Sequence, residues 1–105
     1  MIVDALDDKR GQDIVVMDLT SVSDALDYFV VATGASSLQL KAMEEGVREK
    51  LKDVLPLRSV EGPSTRWVLI DFYHIVIHVM SPEARDFYDL EGLWADAKRL
   101  EVQPS

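Results

Sequence analysis

Residues 66–80 have the sequence RWVLIDFYHIVIHVM and predict two β-strands joined by a tight reversal at Phe72-Tyr73. We expect the strands to pair as an antiparallel hairpin with Asp71 opposite His74. Because successive side chains on a strand point to opposite faces of the sheet, this pairing sorts the residues into two sets. The first set is a face of branched aliphatic residues that we expect in the core: Val68, Ile70, Ile75, Ile77 and Val79.

The second face of the predicted hairpin mixes large apolar, acidic and imidazole side chains. It is too polar for an ordinary core and too apolar for an ordinary solvent-facing surface. A tryptophan beside an acid and two histidines on a flat sheet indicates a binding surface. The residues on this face are Trp67, Leu69, Asp71, His74, Val76, His78 and Met80.

Length and composition predict a single domain, 1–105, in which 48% hydrophobic residues form a small core. The chain has no cysteine, which excludes disulfides and thiolate metal sites. It has no apolar run approaching the roughly 20 residues that span a bilayer, and no signal-peptide pattern. We therefore expect a soluble cytoplasmic domain without membrane contact. Dimerisation would help so small a chain to bury surface.

Acidic residues dominate the charge of the chain. Its 19 Asp and Glu residues against 11 Lys and Arg residues give a net charge of −8. A chain this acidic is repelled by phosphate backbones, so we expect no direct binding to nucleic acid. A basic protein is the better candidate for a partner. Acidity also keeps a protein soluble, whatever its partners.

Hydrophobic periodicity and turn residues predict alternating helices and strands along the rest of the chain. We expect helices at 2–9, from Ser36 or Ser37 to about Asp53, and at 87–98, strands at 13–19, 28–33 and 57–61, and a frayed tail at 101–105. Together with the hairpin, these elements predict an α/β fold of the mixed α+β kind. It is a single domain with a mixed parallel and antiparallel sheet of about five strands and packed helices.

The segment Gly34-Ala35-Ser36-Ser37 lies between a predicted strand and a predicted helix, where free N–H groups can bind an anion. It lacks the lysine and the second glycine of a phosphate-binding loop, so a helix cap is the favoured interpretation. A glycine–serine turn after a strand is also found in nucleotidyltransferases, which hold magnesium with clustered carboxylates. Asp13 and Asp18 bracket one strand and Asp71 is distant from both in sequence, so we expect no such cluster.

His74 and His78 share one face of a predicted strand. Four residues along a strand span about 13 Å, too far for one metal ion to bind both. We therefore expect two independent histidines and no metal. The sequence shows no nucleophile beside a base, so we expect no enzyme, no catalytic residue and no cofactor. The alternative is a nucleotide-binding or nucleotidyl-transferring enzyme that uses the Gly34–Ser37 loop.

Five stretches of the chain, taken in order, carry a resemblance to one family: GQDIVVMDLTSVSD, DYFVVATGASSLQLKAM, RWVLIDF, HIVIHVM and ARDFYDLEGLWADA. They resemble the Iojap-related ribosomal silencing factors, the RsfS family, from about Ala5 to Ala97. The resemblance implies a non-enzymatic domain with a nucleotidyltransferase-like fold that is a homodimer when free. It also implies binding to ribosomal protein fourteen of the large subunit. That binding would block joining of the small subunit and repress translation when nutrients are short.

Two positions depart from the family's pattern. Leu38 stands where the family often has arginine, so one basic contact is lost. Tyr73-His74 stands at the hairpin turn where the family usually has Gly-Asp. Because tyrosine adopts turn conformations less easily than glycine, a longer loop or a shifted register at this turn is an open alternative.

The resemblance carries functional residues over to this chain position by position. The tryptophan and the acid of the family's W-V-L-x-D strand match Trp67 and Asp71. Trp67 and Met80 would be apolar anchors, and Asp71 and Glu83 would meet Lys or Arg of a basic partner. The two histidines become expected surface residues. The predicted partner-binding residues are Trp67, Leu69, Asp71, His78, Met80 and Glu83.

Overall fold

A computed structural model of the chain describes residues 2–62, 66–88 and 98–100. Within these ranges the chain forms three helices: α1 (Ile2–Asp8), α2 (Ser37–Leu51) and α3 (Pro82–Tyr88). Six strands form one sheet: β1 (Gln12–Asp18), β2 (Tyr28–Thr33), β3 (Ser59–Glu61), β4 (Trp67–Asp71), β5 (Ile75–Met80) and β6 (Lys98–Leu100). No helix in the described ranges is long and apolar enough to cross a membrane.

The sheet is mixed, with strand order β3-β4-β5-β2-β1-β6. β2 and β5 pair in parallel, and the other neighbouring strands of the described sheet pair antiparallel. This arrangement confirms the predicted mixed α+β fold. About five strands were expected, and the described sheet has six because β6 adds a three-residue strand at the edge beside β1. Its sequence, Lys-Arg-Leu, lacks the apolar alternation that marks a strand.

Helix α3 begins earlier than the helix predicted at 87–98. Ser81 caps it, because its Oγ accepts a hydrogen bond from the Ala84 N–H at 3.2 Å, and Pro82 follows at the first helical position. Lys98, the predicted end of the helix, belongs to β6. The rest of the predicted helix, 89–97, and the predicted frayed tail at 101–105 lie outside the described residues.

Helices α1 and α2 cover one face of the sheet. The residues predicted to line one side of α2, at spacings of three and four, are all buried: Leu40, Met43, Val47 and Leu51. They belong to one cluster with four residues of the predicted aliphatic face, each 0% exposed: Val68, Ile70, Ile77 and Val79. We call this cluster the principal core. Burying one such side chain contributes about 1.5–3 kcal/mol to the stability of the fold.

A second apolar cluster lies on the opposite face of the sheet. Strands β1 and β2 supply Met17, Phe29 and Val31, and α3 supplies Ala84. Part of the second hairpin face belongs to this cluster. The second face of the hairpin is therefore buried where it packs against β2 and α3. Toward β4 its side chains are half-exposed.

Arg85 of α3 contacts an irregular part of β1. The β1–β2 register shifts between Gln12 and Val15, and Asp13 within this bulge has a φ of 49°. The Arg85 guanidinium donates to the Asp13 carbonyl and, through Nη1 at 2.8 Å, to the Thr33 hydroxyl. These hydrogen bonds hold α3 against the second face.

Candidate partner-binding face

Strands β4 and β5 form the predicted hairpin with a register shifted by two residues. Asp71 lies opposite Val76, rather than His74 as predicted, and Trp67 lies opposite Met80. Because side chains alternate along a strand, a shift by two residues leaves the side chains of β4 and β5 on their predicted faces, whereas His74 lies in the turn. The two predicted faces are therefore confirmed, although the predicted register was wrong.

The register differs because the reversal is centred on Tyr73. Its φ is 74°, and the N–H of His74 donates to the Phe72 carbonyl at 3.0 Å, which describes a γ-turn. A positive φ costs a residue with a Cβ about 1–2 kcal/mol. Asp71 offsets part of this cost, because its Oδ1 accepts a hydrogen bond from the Tyr73 N–H at 2.7 Å. Tyr73 takes the place of the glycine that is usual at this hairpin turn. The sequence predicted an unusual turn at this position.

Arg58 completes this turn, although no pattern in the sequence points to it. Its guanidinium lies 5.7 Å from the centre of the Tyr73 ring, and its Nε lies 4.0 Å from Asp71 Oδ2. The Asp71 side chain is 21% exposed and binds within the turn through both oxygens. Asp71 therefore stabilises the hairpin turn. Its role in partner binding stays a prediction.

Trp67 and Leu69 form the half-exposed apolar part of the face. Both are half-buried and pack against the second cluster. Met80 lies on the same face but is 0% exposed, because β5 is flanked by β4 and β2 and the Met80 side chain is inside that cluster. The prediction that Met80 is an accessible anchor was wrong. Because Trp67 is half-exposed, part of its side chain is open to a partner.

His78 supports the Trp67 ring from the neighbouring strand. The two ring centres are 5.5 Å apart and the ring planes meet at 85°, an edge-to-face arrangement. In the predicted register, with Asp71 opposite His74, the two residues would lie directly opposite each other. In the structure they are diagonal neighbours, because Leu69 is the residue opposite His78. His78 thus restrains the orientation of Trp67.

The imidazole of His78 is in an apolar environment. It lies between Leu69 of β4 and Val31 of β2, and its Nε2 is buried with no hydrogen-bond partner in the described part of the chain. Because burial penalises the charged form, the pKa of His78 falls from 6.5 to about 4. The expectation of two surface histidines holds for His74, which is exposed, and was wrong for His78.

Replacing His78 by phenylalanine is expected to stabilise the domain by about 1 kcal/mol at pH 7, since a buried unpaired nitrogen is removed. The variant should also lose the part of the pH dependence of folding stability that His78 causes. The folded pKa of His78 lies below 6.5, so its neutral form stabilises the fold fully above pH 6.5 and progressively less as the pH falls toward 4. Allowing for partial exposure, the gap between variant and wild type should widen by about 1 kcal/mol from pH 7 to pH 5.

Urea unfolding of both proteins at pH 7 and pH 5 measures this gap. The phenylalanine ring keeps an edge-to-face contact with Trp67, so the substitution changes the nitrogens and little else. His74 is present in both proteins, and its contribution cancels in the difference. The same gap at both pH values would show that His78 is not held neutral by the fold.

Glu83 lies at the same end of the face as Trp67. It is exposed in the first turn of α3. The N–H of Ser81 donates to the Arg66 carbonyl at 2.8 Å, which brings the start of α3 beside the start of β4. An exposed acid and a half-exposed tryptophan therefore lie near each other. That combination suits a partner with both apolar and basic groups.

A family model described as ribosomal silencing factor during starvation matches residues 1–105. The chain belongs to the ribosomal silencing factor family. A ribosomal silencing factor from Chromobacterium violaceum is 40% identical over 98 residues, which are 91% of this chain and 80% of that protein. The Mus musculus protein named mitochondrial assembly of ribosomal large subunit protein 1 is 34% identical over 99 residues, which are 90% of this chain and 43% of that protein.

A solved structure supports the same assignment to the silencing factor family. A crystal structure of a Chromobacterium violaceum protein has a TM-score of 0.86 and 37% sequence identity, and the match covers 100% of this chain and 85% of that one. The resemblance found in the sequence is confirmed. The family is one of translation regulators, with a regulatory rather than an enzymatic role.

In this silencing factor the Gly34–Ser37 loop is the cap of α2. Ser36 Oγ accepts a hydrogen bond from the Gln39 N–H at 3.1 Å, and Gln39 Oε1 accepts one from the Ala35 N–H at 2.7 Å. The N–H of Gly34 donates to a β5 carbonyl. Three backbone donors of this segment, the N–H groups of Gly34, Ala35 and Gln39, are thus engaged inside the protein, which favours the cap over a phosphate site.

The enzyme alternative requires carboxylates that converge beside this loop. Over the described ranges, no group of three or more His, Asp or Glu side chains is placed to hold a metal ion. Asp18 stabilises a turn instead, because its Oδ1 accepts hydrogen bonds from the N–H and the hydroxyl of Thr20 at 2.9 and 2.6 Å. The described residues therefore give nucleotidyl transfer no support.

Proposed function

We propose that this domain binds ribosomal protein fourteen of the large ribosomal subunit and sterically blocks joining of the small subunit. The contact surface is the Trp67 face, defined here as Trp67, Leu69, Asp71 and Glu83, with His78 behind Trp67. Binding lowers protein synthesis when nutrients are limiting. The free protein is a cytoplasmic homodimer, and the mechanism requires no catalytic group because it acts by occupying space.

The half-exposed tryptophan is the observation that carries this proposal. Trp67 packs on the second cluster, and its ring is held edge-to-face by His78 at 5.5 Å. A rigid aromatic side chain loses little conformational freedom on binding, so most of its contact energy remains available for affinity. Interfaces are enriched in such anchors near their centres.

Charge supports a basic partner for the same face. The chain has a net charge of −8, and Glu83 is exposed in the first turn of α3, whose start is hydrogen-bonded to the start of β4. Ribosomal proteins are commonly basic because they contact RNA, so an acidic domain is attracted to them over a distance. The name of the mouse relative refers to assembly of the large subunit, which supports the large subunit as the target.

Charge reversal at Glu83 is expected to weaken binding to purified large subunits by about tenfold or more, because a lysine there would oppose a basic partner. Co-sedimentation of Glu83→Lys with large subunits measures the loss. Light scattering on addition of small subunits should show that wild type slows joining and that the variant slows it less. The matched control is Glu45→Lys, an exposed charge reversal on α2, across the sheet from the Trp67 face.

Equal losses in Glu83→Lys and Glu45→Lys would indicate a general effect of net charge and would remove the Trp67 face from the proposal. Unhindered joining with saturating wild type would overturn steric blocking. The Asp71 carboxylate is best tested as Asp71→Asn. Asparagine keeps an acceptor for the Tyr73 N–H, whereas arginine at this position would also open the turn.

A further inference from the structure

The half-exposed apolar residues of the Trp67 face have an acidic neighbour on the edge strand β3. Glu61 lies directly opposite Leu69 in the antiparallel β3–β4 pairing. Because directly opposed residues of such a pair point to the same side of the sheet, the Glu61 side chain lies on the face of Leu69 and Trp67. The sequence predicted a strand at 57–61 but not its pairing partner, so it did not assign Glu61 to this face.

Glu61 and His78 lie on either side of β4, and both are close to the tryptophan. Leu69 is opposite Glu61 on β3 and opposite His78 on β5. Trp67 is two residues from Leu69 along β4, so it is a diagonal neighbour of both. Diagonal neighbours are about 7–8 Å apart, which is within reach of aromatic and long side chains. His78 contacts the indole ring from the β5 side, and a carboxylate lies near the ring on the β3 side.

The Glu61 carboxylate is exposed at the end of its strand. Gly62 follows with a φ of 88°, a left-handed conformation that glycine adopts without strain. The ion pairs found in the described part of the chain engage the carboxylates of Asp8, Glu44, Glu49 and Asp71. Within that part of the chain no ion pair engages Glu61, which leaves its charge available to a partner.

The strand residues on this side of the sheet carry negative charge only. In β3, β4 and β5 they include the carboxylates of Glu61 and Asp71 and no lysine or arginine. His78 stays neutral at pH 7, because burial lowers its pKa to about 4. Asp71 is engaged in the hairpin turn, so Glu61 is the strand acid that remains for a partner.

The cations of the chain are placed away from this acid. Arg58 lies at the hairpin turn beside Asp71, and Arg85 donates to a β1 carbonyl and a β2 hydroxyl. The Ser81 N–H donates to the Arg66 carbonyl, which extends the β4–β5 pairing by one residue, and alternation then directs the Arg66 side chain to the other face. The other Lys and Arg residues lie in or directly after α1 and α2, which cover that other face, or in β6 at the far edge. A cation beside the tryptophan therefore has to come from a partner.

We propose that Trp67 and Glu61 together bind one arginine side chain of the ribosomal partner, with the guanidinium against the indole ring and its N–H groups donating to the Glu61 carboxylate. Arginine fits this pair better than lysine does. Its planar guanidinium stacks on aromatic rings and donates two parallel hydrogen bonds to one carboxylate. The inference rests on the proposed function, because it names the chemical group that the Trp67 face recognises on its partner.

Glu61→Gln tests this pair, since glutamine keeps the shape of the side chain and removes its charge. Co-sedimentation with purified large subunits should show about tenfold weaker binding. Glu45→Gln is the matched control, because it removes the charge of an exposed glutamate on α2, on the other face of the sheet. The control should bind within about twofold of wild type. Thermal unfolding checks that each variant is folded.

A double-mutant cycle tests whether one group of the partner contacts both residues. If a single arginine contacts Trp67 and Glu61, the two losses are coupled, because Trp67→Ala already disturbs the arginine that Glu61 binds. In the Trp67→Ala background, Glu61→Gln should therefore weaken binding by about threefold or less, instead of about tenfold.

Arginine-to-lysine substitutions in the purified ribosomal partner identify the group that is bound. Lysine keeps the positive charge and lacks the planar, two-point donor. One such substitution should weaken binding of the wild-type domain about fivefold or more. The same substitution should weaken binding of Glu61→Gln by less than about twofold, because the carboxylate that recognises the guanidinium is already gone.

Three results would overturn this inference and leave the proposed function in place. One is equal binding by Glu61→Gln and Glu45→Gln, which would leave Glu61 the role of discouraging the edge strand from pairing with other chains. Another is a cycle in which the two losses simply add. The third is a partner lysine, rather than an arginine, whose replacement gives the pattern expected above. A wild-type domain that fails to bind large subunits would instead overturn the proposed function itself.

Discussion

Trp67→Ala is expected to weaken binding to the large ribosomal subunit by at least about 30-fold, since a central aromatic anchor commonly contributes 2 kcal/mol or more. The ring is half-buried in the second cluster and held at 85° to the His78 ring, so it is ordered before a partner arrives. Alanine removes both the contact area and that order. Co-sedimentation over a range of protein concentrations measures the loss, and the block of subunit joining should weaken in parallel.

Two further variants show whether this loss is specific. Trp67→Phe keeps an aromatic ring against His78 and should lose less affinity than the alanine variant. Val54→Ala truncates an exposed apolar residue just after α2, away from the Trp67 face, and should bind large subunits like wild type. Trp67→Ala also removes packing from the second cluster, so binding is measured below the unfolding temperature of every variant. Unchanged binding by folded Trp67→Ala would exclude Trp67 as the anchor.

Gly34→Ala is expected to destabilise the domain by about 1–3 kcal/mol, as overpacking of a core does. A Cβ at Gly34 would lie 2.7 Å from Leu40 Cδ2 and 3.2 Å from Met43 Sδ. Both side chains are 0% exposed in the principal core, so neither can move aside without disturbing its neighbours. Urea unfolding of the purified domain measures the change in the free energy of unfolding.

The same substitution at Gly46 should have the opposite sign and stabilise the domain by up to about 1 kcal/mol. Gly46 lies inside α2, where alanine favours the helix. A Cβ there would lie 3.2 Å from Lys9 Cγ, part of an exposed and flexible side chain that can shift. If both alanine variants changed stability in the same direction, the packing explanation for Gly34 would be wrong. If Gly34→Ala is destabilised in the absence of any nucleotide, the glycine is needed for packing against α2 rather than for binding a phosphate.

The faces of β4 and β5 were predictable from sequence, because successive side chains on any strand point to opposite faces of the sheet. The register was not predictable, because it depends on the backbone of a single residue. Tyr73 adopts a φ of 74° and contacts Asp71 and Arg58, and two strands, β3 and β4, separate Arg58 from the turn in sequence. A local pattern contains no information about that contact.

Sequence also identified which residues share a face without showing what covers them. Trp67 and Met80 are opposite one another on one face, yet Trp67 is half-buried and Met80 is 0% exposed. The difference comes from β2 and the second cluster, which pack from distant parts of the chain. For the same reason β6 was missed, because its pairing with β1 joins two segments that are far apart in sequence.

The parallel pairing of β2 with β5 divides the sheet into two units, each with only antiparallel pairing. One unit is the antiparallel series β2–β1–β6, and the other is the antiparallel series β3–β4–β5. The seam between the two units is the β2–β5 pairing, which begins with Tyr28 opposite Ile75. Forming it requires closing a long loop, a step that is entropically costly and slow. Until it closes, the apolar edges of β2 and β5 are open to pairing with other chains. The seam is thus where folding of this domain is most exposed to aggregation.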